Sequence, residues 1–337
     1  MSTAIRETSA AASYASRFQD WNERARVRVA PRRVLVDEES AGKQYFSQAL
    51  VPISRHPMVA QFGPAAVRVT LIQHLDSYLD FTAKFEIEVV NSVARAIAHG
   101  KTGFVLPEEM RFDAYKIYCD EGYHSLFSAD LRDQVALVTG VTSAGYDFDS
   151  FMARLDLIVD EVSSELRPLT SLFIVILFET LVSAILNKIP RDESVVTAVR
   201  EAVQDHADDE ARHHQYFARL MDWVWPRLDR KQQSMIGPLL PRFIIKCLEP
   251  DYAAIESRLV RLRLNREQAR QVMEECYPAA EVMSGIRATA RATLNVLARN
   301  GVFEDAKSRE AFEKFGLWNA TDQTTSESGR VSPVARY

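Results

Sequence analysis

The sequence predicts an all-α protein, and three observations carry this prediction. The 337 residues include only 12 glycines and 13 prolines, too few for many short strands, which favours a small number of long elements. Hydrophobic residues make up 47% of the chain and recur at helical spacing from about residue 64 to residue 317. A motif of glutamate and histidine occurs twice, each time on a predicted helix.

Proline and glycine indicate where the helices begin and end. Pro64 lies in the first turn of a predicted helix and Gly100 follows its end. The predicted core helices are Pro64–His99, Pro107 into the 130s, Leu169–Lys188 and Glu193–Trp223, with a further helix near Ser150–Leu166 and helical structure to about Leu317. We expect residues 1–35 to form a partly mobile arm, residues 36–320 one helical domain and residues 321–337 a disordered tail.

Charge and cysteine content exclude several classes of partner. The net charge is −5 and no basic block occurs, so neither nucleic acid nor a membrane surface is expected as a partner. Cys119, Cys247 and Cys276 have neither disulfide nor zinc spacing. Because the first thirty residues also lack a signal peptide, we expect a soluble, cytoplasmic protein.

The segment from Leu169 to Leu186 is apolar throughout except for Glu179. Its length is borderline for a membrane span, but a helix buried on all sides has the same composition. No second span exists and no Lys/Arg bias brackets this one, so the buried helix is favoured. In either setting the Glu179 carboxylate needs a partner.

The repeated motif is Asp-Glu-x-x-His, at Asp120-Glu121-x-x-His124 and Asp209-Glu210-x-x-His213. Residues three apart lie on one helix face, so a carboxylate and an imidazole can share a metal ion. One such motif arises readily by chance, but two on predicted helices do not.

Two lone glutamates complete the pattern. Glu86 and Glu121 lie at similar distances from the turn between their helices, so an antiparallel hairpin brings them level. Glu179 and the pair His206 and Glu210 flank the next turn, at Pro190, less closely and are matched to within roughly two turns. Each hairpin then supplies one lone glutamate and one Glu-x-x-His, the ligand set of a ferritin-like four-helix bundle with a di-metal carboxylate site. Additional helices would elaborate this bundle.

Helix faces support these choices. Glu86 shares its face with apolar residues, whereas Glu88 lies among polar ones. His206 lies on the same face as Glu210 and His213, which adds a third imidazole. Asp120 and Asp209 are expected to orient the ligand histidines from outside the metal shell. Tyr78 is a candidate lining residue of a substrate pocket.

At these residues the sequence resembles the di-iron arylamine N-oxygenases, a family with members in aureothin and chloramphenicol biosynthesis. The resemblance is clear from Tyr78 to Phe217 and weak in the C-terminal third, and the chloramphenicol type looks like the nearer relative. It implies seven metal ligands: Glu86, Glu121, His124, Glu179, His206, Glu210 and His213. Outside this set the sequence departs from the aureothin enzyme, so that enzyme's carboxylate-binding residues are not carried over.

The resemblance also implies an activity. With two iron ions and O2 as co-substrate, such an enzyme oxidises an aryl amine to the nitro compound through hydroxylamine and nitroso stages. It implies an external electron donor and a homodimer as well. Three alternatives stay open: another di-iron or di-manganese oxidase or hydroxylase, an iron-storage bundle, and a helical interaction protein without metal.

Overall fold

Four long helices form the centre of the fold and carry the side chains of the predicted metal site. The computed structural model describes residues 14–36, 42–143, 145–186 and 188–319. Within these ranges the regular elements are helices, apart from one isolated bridge between Gln44 and Val195. The all-α prediction is therefore confirmed. The predicted tail and residues 1–13 of the predicted arm lie outside the described residues.

The helices of eight or more residues are numbered in chain order. They are α1 (Pro64–Phe85), α2 (Asn91–Ala98), α3 (Glu108–Thr139), α4 (Phe148–Val159), α5 (Arg167–Leu186), α6 (Thr197–Val224), α7 (Leu240–Leu248), α8 (Tyr252–Arg261), α9 (Arg266–Cys276), α10 (Ala279–Arg299) and α11 (Ala306–Lys314).

The chemistry of the turns sets several of these boundaries. Pro64 is the first residue of α1, as predicted. Gly140 ends α3 with φ of 65°, a left-handed conformation that glycine adopts without strain. Helix α4 ends at Val159, earlier than the predicted Leu166, and Pro168 lies in the first turn of α5. A break of several residues therefore separates α4 from α5, whereas the sequence pattern predicts that one helix follows almost directly on the other.

The central helices pack as two hairpins. Helices α1 and α2 both lie against α3, and α5 lies against α6. Contacts of α3 with α6 and of α2 with α5 join the hairpins into a four-helix bundle. This arrangement, with buried glutamate and histidine clusters at its centre, confirms the predicted ferritin-like fold.

A π-helical turn, Glu86–Val90, separates α1 from α2. The Asn91 N–H donates to the Glu86 carbonyl, five residues back, so one extra residue enters the helix. The sequence predicts one uninterrupted helix here. The turn leaves Glu86 buried and Glu88 exposed, and it lets the apolar face continue against α3 with Val93 and Ile97.

Helix α5 is apolar on every side because other helices surround it. It packs against α2, α4, α6, α7 and α10, and Phe173, Val175 and Leu177 are fully buried. Among the described residues, no helix combines the length and the apolar character that a membrane crossing needs. The buried-helix interpretation of this segment is thus the one that the fold supports.

The described N-terminal segment, residues 14–36, lies across α3 and α6. The Tyr14 hydroxyl donates to Asp113 on α3 at 2.6 Å, and the Arg33 guanidinium bonds Asp205 on α6 at 2.7 Å. The segment therefore covers the seam between the two helices that carry the repeated motif. The domain boundaries at residues 35 and 320 stay predictions.

Truncation of a core ring in α5 should destabilise the fold strongly. Phe173 is fully buried and lies edge-on to Trp225, with ring centroids 5.6 Å apart. We expect Phe173→Ala to lower the free energy of unfolding by about 3–5 kcal/mol, measured by urea denaturation of chelator-treated protein. Phe112→Ala, at a ring that is 60% exposed, is the control and should cost less than about 1 kcal/mol. Equal effects of the two changes would contradict the buried position of α5.

Candidate metal centre

The structure brings all seven predicted ligand side chains together at the centre of the bundle. Each is at most 2% exposed. Four helical segments supply them: the π turn gives Glu86, α3 gives Glu121 and His124, α5 gives Glu179, and α6 gives His206, Glu210 and His213. The lone glutamates and the paired motifs therefore meet at one level, as the hairpin geometry predicts.

Glu121 occupies the middle of the cluster. Its Oε2 lies 2.9 Å from His124 Nδ1, and its Oε1 lies 2.9 Å from His213 Nδ1. Glu210 Oε1 lies 3.1 Å from His213 Nδ1 and 3.5 Å from His124 Nδ1. The two motifs thus face each other across a shared space, with both carboxylates between both imidazoles.

His206 adds a third imidazole at one side of the cluster. Its Nε2 lies 3.4 Å from Glu210 Oε1 and 3.7 Å from Glu86 Oε1, and its ring centroid is 4.3 Å from that of His124. Donor atoms within 4.8 Å of one another form three overlapping groups. These are Glu121, His124, Glu210 and His213; Glu86, His206 and Glu210; and Glu86, Glu121 and Glu179.

The charges of this site fit metal ions well. Both carboxylate oxygens of Glu179 and Oε2 of Glu86 are buried and have no hydrogen-bond donor among the described residues. Burial, followed by the neighbouring carboxylates, raises the pKa of Glu86 and of Glu179 well above the usual range. Two divalent cations would remove this repulsion and supply the missing partners. Since the donor set matches that of di-metal bundles, the cluster is suited to two metal ions.

Comparison with known protein families agrees with this geometry. The family model described as p-aminobenzoate N-oxygenase AurF matches residues 20–301. The chain belongs to the AurF family. It is accordingly an enzyme, an N-oxygenase, and the matched range includes all seven clustered side chains. A search of curated proteins gave no match.

In each of the two Asp-Glu-x-x-His motifs, the aspartate contacts the histidine of the other motif. Asp209 on α6 lies with Oδ2 3.3 Å from Nε2 of His124 on α3. Asp120 on α3 lies with Oδ2 3.2 Å from Nε2 of His213 on α6. A carboxylate at Nε2 favours the tautomer with its proton on that nitrogen, which leaves the lone pair of Nδ1 available to bind a metal ion held by the glutamates. The predicted outer positions of Asp120 and Asp209 thus have a geometric basis.

The N-terminal segment holds these aspartates from outside. Trp21 Nε1 donates to Asp120 Oδ1 at 2.8 Å, and the backbone N–H of Arg26 lies 3.3 Å from both oxygens of Asp209. Arg212 also pairs with Asp209. Sequence reasoning missed Trp21 and Arg26, since both lie about a hundred residues or more from their partners. An indole between charged residues, Asp20-Trp21-Asn22-Glu23, is the one signal that was available.

Aromatic residues line the cluster beside its lone glutamates. Phe85 precedes Glu86 and Phe178 precedes Glu179, and their ring centroids are 3.9 Å apart. Tyr78 lies about two turns before Phe85 on α1, and its ring centroid is 5.9 Å from that of Phe46. Burial, with the charges of Glu86 and Glu210, raises the pKa of Tyr78. The hydroxyl therefore lies near the carboxylates in its neutral form, and lining a pocket stays a prediction for this residue.

Removal of the lone carboxylate on α5 should lower the metal content. We expect the native protein to bind two metal ions per chain and Glu179→Gln to bind fewer, because a neutral amide replaces an anionic donor at the cluster. Metal analysis after anaerobic loading and desalting measures the ratio. Glu88→Gln, two residues from Glu86 and exposed, is the control and should keep two ions. An unchanged metal content in Glu179→Gln would exclude this carboxylate as a ligand.

Loss of the Trp21 indole hydrogen bond should weaken metal binding without unfolding the protein. Trp21→Phe keeps an aromatic ring but leaves Asp120 with one partner fewer, at a cost of about 1 kcal/mol, or about fivefold in metal affinity. Competition with a chromophoric chelator measures this affinity. In the control, Trp223→Phe, the lost indole bond is to the Val105 carbonyl at the surface. Equal affinities of the two variants would show that the N-terminal segment does not support the site.

Proposed function

We propose that this protein is a di-iron oxygenase that uses O2 to convert an aryl amine into the nitro compound through hydroxylamine and nitroso stages. The observation that carries the proposal is the seven-residue cluster in a chain of the AurF family. Glu86, Glu121, His124, Glu179, His206, Glu210 and His213 would hold the two ions. When bound, the iron pair would supply O2 activation, for which no side chain of the cluster can substitute.

Iron is the metal that we propose, on the chemistry of the donors. Four carboxylates and three imidazoles form an oxygen-rich set with no thiolate, which suits ferrous iron and also manganese. Manganese is therefore the competitor in any test. His206 gives one part of the cluster an additional nitrogen donor, so the two metal positions differ in their ligands.

The surrounding side chains would position the amine and exclude water. The rings of Phe85 and Phe178 lie beside Glu86 and Glu179, and an aryl substrate can pack against such rings. Outside the cluster, Asp120 and Asp209 would keep His124 and His213 in the metal-binding tautomer. The protein's part in the reaction is thus orientation and a dry site.

Several finer features belong to the same proposal. The overall sequence favours the chloramphenicol-type enzyme as the nearer relative, so we propose antibiotic biosynthesis as the setting, with a substrate such as the amine precursor of chloramphenicol. An external donor would supply electrons, because the sequence has no flavin or nicotinamide motif. A homodimer is expected from the family. Three unpaired cysteines support a cytoplasmic location.

A single-turnover assay tests this function. The protein is loaded anaerobically with ferrous iron, its metal content is confirmed, and O2 is added together with a panel of aryl amines. We expect hydroxylamine, nitroso or nitro products by mass spectrometry with native protein and with Glu88→Gln, and their loss in Glu179→Ala. A manganese-loaded sample shows which metal supports turnover.

The outcomes separate the alternatives. Two bound irons and O2 consumption without oxidised amine would contradict N-oxygenation and point to another di-metal oxidase or hydroxylase. Many irons per chain would indicate storage. Failure to bind any metal would contradict the whole proposal.

A further inference from the structure

Polar side chains follow one another along one inward face of α3. They are Glu121, Ser125, Ser128 and Arg132, each three or four residues after the one before, so they form a row along the helix. The row faces α1, because Arg132 Nε donates to Asp76 on that helix at 2.6 Å. It leads from the metal cluster at Glu121 to the protein surface at Arg132, whose side chain is 25% exposed.

The two serines of this row lack the hydrogen bond that is usual for a hydroxyl in a helix. Ser125 and Ser128 are 8% and 1% exposed, and neither Oγ has a partner among the described residues. Elsewhere in this protein the hydroxyls of Thr70, Ser77 and Thr139 donate to the carbonyl four residues back. A buried hydroxyl that has no protein partner is normally satisfied by a bound water molecule.

The spacing of the row matches single water molecules between its members. Side chains three or four residues apart on a helix lie about 5–6 Å from each other. A water molecule with one hydrogen bond to each neighbour, both about 2.8 Å long, spans this distance. One water molecule in each interval would therefore connect Glu121, Ser125, Ser128 and Arg132 into a continuous chain of hydrogen bonds.

A small cavity lies at the outer end of the row. Its volume is about 10 Å³, close to the room that one water molecule needs. Leu79, Asp76, Arg132 and Ser143 are among its lining residues. Ser143 is exposed, whereas Leu79 is buried and lies one turn nearer to Glu86 than Asp76 does. The cavity therefore extends from the surface inward along α1.

The charges at this outer end balance one another. Arg132 donates to Asp76 at 2.6 Å and to Asp80 at 2.5 Å, and Lys84 donates to Asp80 at 2.9 Å. Two cations and two carboxylates leave no net charge in this group. The guanidinium therefore does not repel a proton that enters here.

The proposed reaction consumes protons at a buried centre. Insertion of one oxygen atom of O2 into an N–H bond of the amine takes up two electrons and two protons, and it releases the other oxygen atom as water. The external donor supplies the electrons. Since each of the seven clustered side chains is at most 2% exposed, the protons need a route through the protein.

We propose that Ser125 and Ser128 hold a chain of buried water molecules, and that protons pass along it from the surface at Arg132 to the metal cluster beside Glu121. Each oxygen of the chain accepts a proton from one neighbour and passes another to the next, so neither serine is left charged. Ser128 is a positioning residue, since it holds water and does not touch the cluster. The inference rests on the proposed function, which creates the demand for protons.

The first test locates the water molecules. Crystal structures of the metal-loaded, full-length protein are compared for the native chain and for Ser128→Val. In native protein we expect ordered water about 2.6–3.2 Å from the Oγ atoms of Ser125 and Ser128, and we expect the water at position 128 to be lost in the variant. Native protein without ordered water at either serine overturns the proposal.

The second test measures the proton route with a matched pair of variants. Ser128→Val and Ser128→Thr have side chains of the same shape, but only threonine keeps the hydroxyl. In the single-turnover assay we expect Ser128→Val to form the first N-oxidised product about tenfold more slowly and with a larger rate difference between H2O and D2O. Ser128→Thr should behave like native protein. Equal rates and equal isotope effects of the pair overturn the proposal.

Two further variants control for effects on folding. Ser128→Ala removes the hydroxyl without adding a methyl group, and it replaces Ser128→Val if the metal content or the thermal melting curve shows that valine disturbs the fold. Ser171→Ala removes an exposed hydroxyl that donates to the Arg167 carbonyl in α5. This variant should keep the native rate and the native isotope effect.

The result is distinct from a failure of the proposed function. If native protein forms no N-oxidised product, the rate at which O2 oxidises the ferrous protein becomes the measured quantity. A slower rate in Ser128→Val than in Ser128→Thr then supports the proton route without the N-oxygenase activity. N-oxidised products that form equally fast in both variants keep the activity and remove the proton route.

Discussion

The fold depends on one electrostatic constraint, the burial of four glutamates within a few ångströms of one another. Glu86, Glu121, Glu179 and Glu210 are each at most 2% exposed, and like charges in a dry interior repel strongly. Three imidazoles offset part of this repulsion, and bound metal ions would offset the rest. The bundle is therefore organised around a centre that is unfavourable in the absence of cations, and its outer layers have to hold that centre together.

This constraint explains features that are hard to justify by packing alone. Helix α5 has no polar face and yet carries Glu179, a choice that is reasonable only where the carboxylate has cationic partners. The π turn adds a residue where the Glu86 side chain enters the cluster, and such turns concentrate at functional sites because they re-aim a side chain within a helix. At Glu179 the helix gives up apolar packing, and at Glu86 it gives up regular α-helical geometry. In both places the change brings a carboxylate into the metal site.

The sequence predicts the fold and the composition of the cluster because both are encoded locally. Proline at the start of α1, glycine after α2 and the repeated Asp-Glu-x-x-His act within a few residues, and helical spacing places Glu86 and Glu121 on inward faces. The π turn was not predictable, since its residues also suit an ordinary α-helix. The role of Trp21 could not be predicted, because its hydrogen bond to Asp120 joins segments 99 residues apart. The spacing of residues along a helix gives no information about such a contact.

The two motifs are interdependent, and this explains why each includes an aspartate. Asp120 reaches the histidine of the other motif, His213, while Asp209 reaches His124, so the Nε2 partner of each imidazole comes from the other helix. Correct tautomers therefore require that α3 and α6 are already paired. The N-terminal segment bonds one aspartate on each helix, through Trp21 and Arg26. Because these bonds span the seam, the N-terminal segment supports both aspartates that contact the histidines.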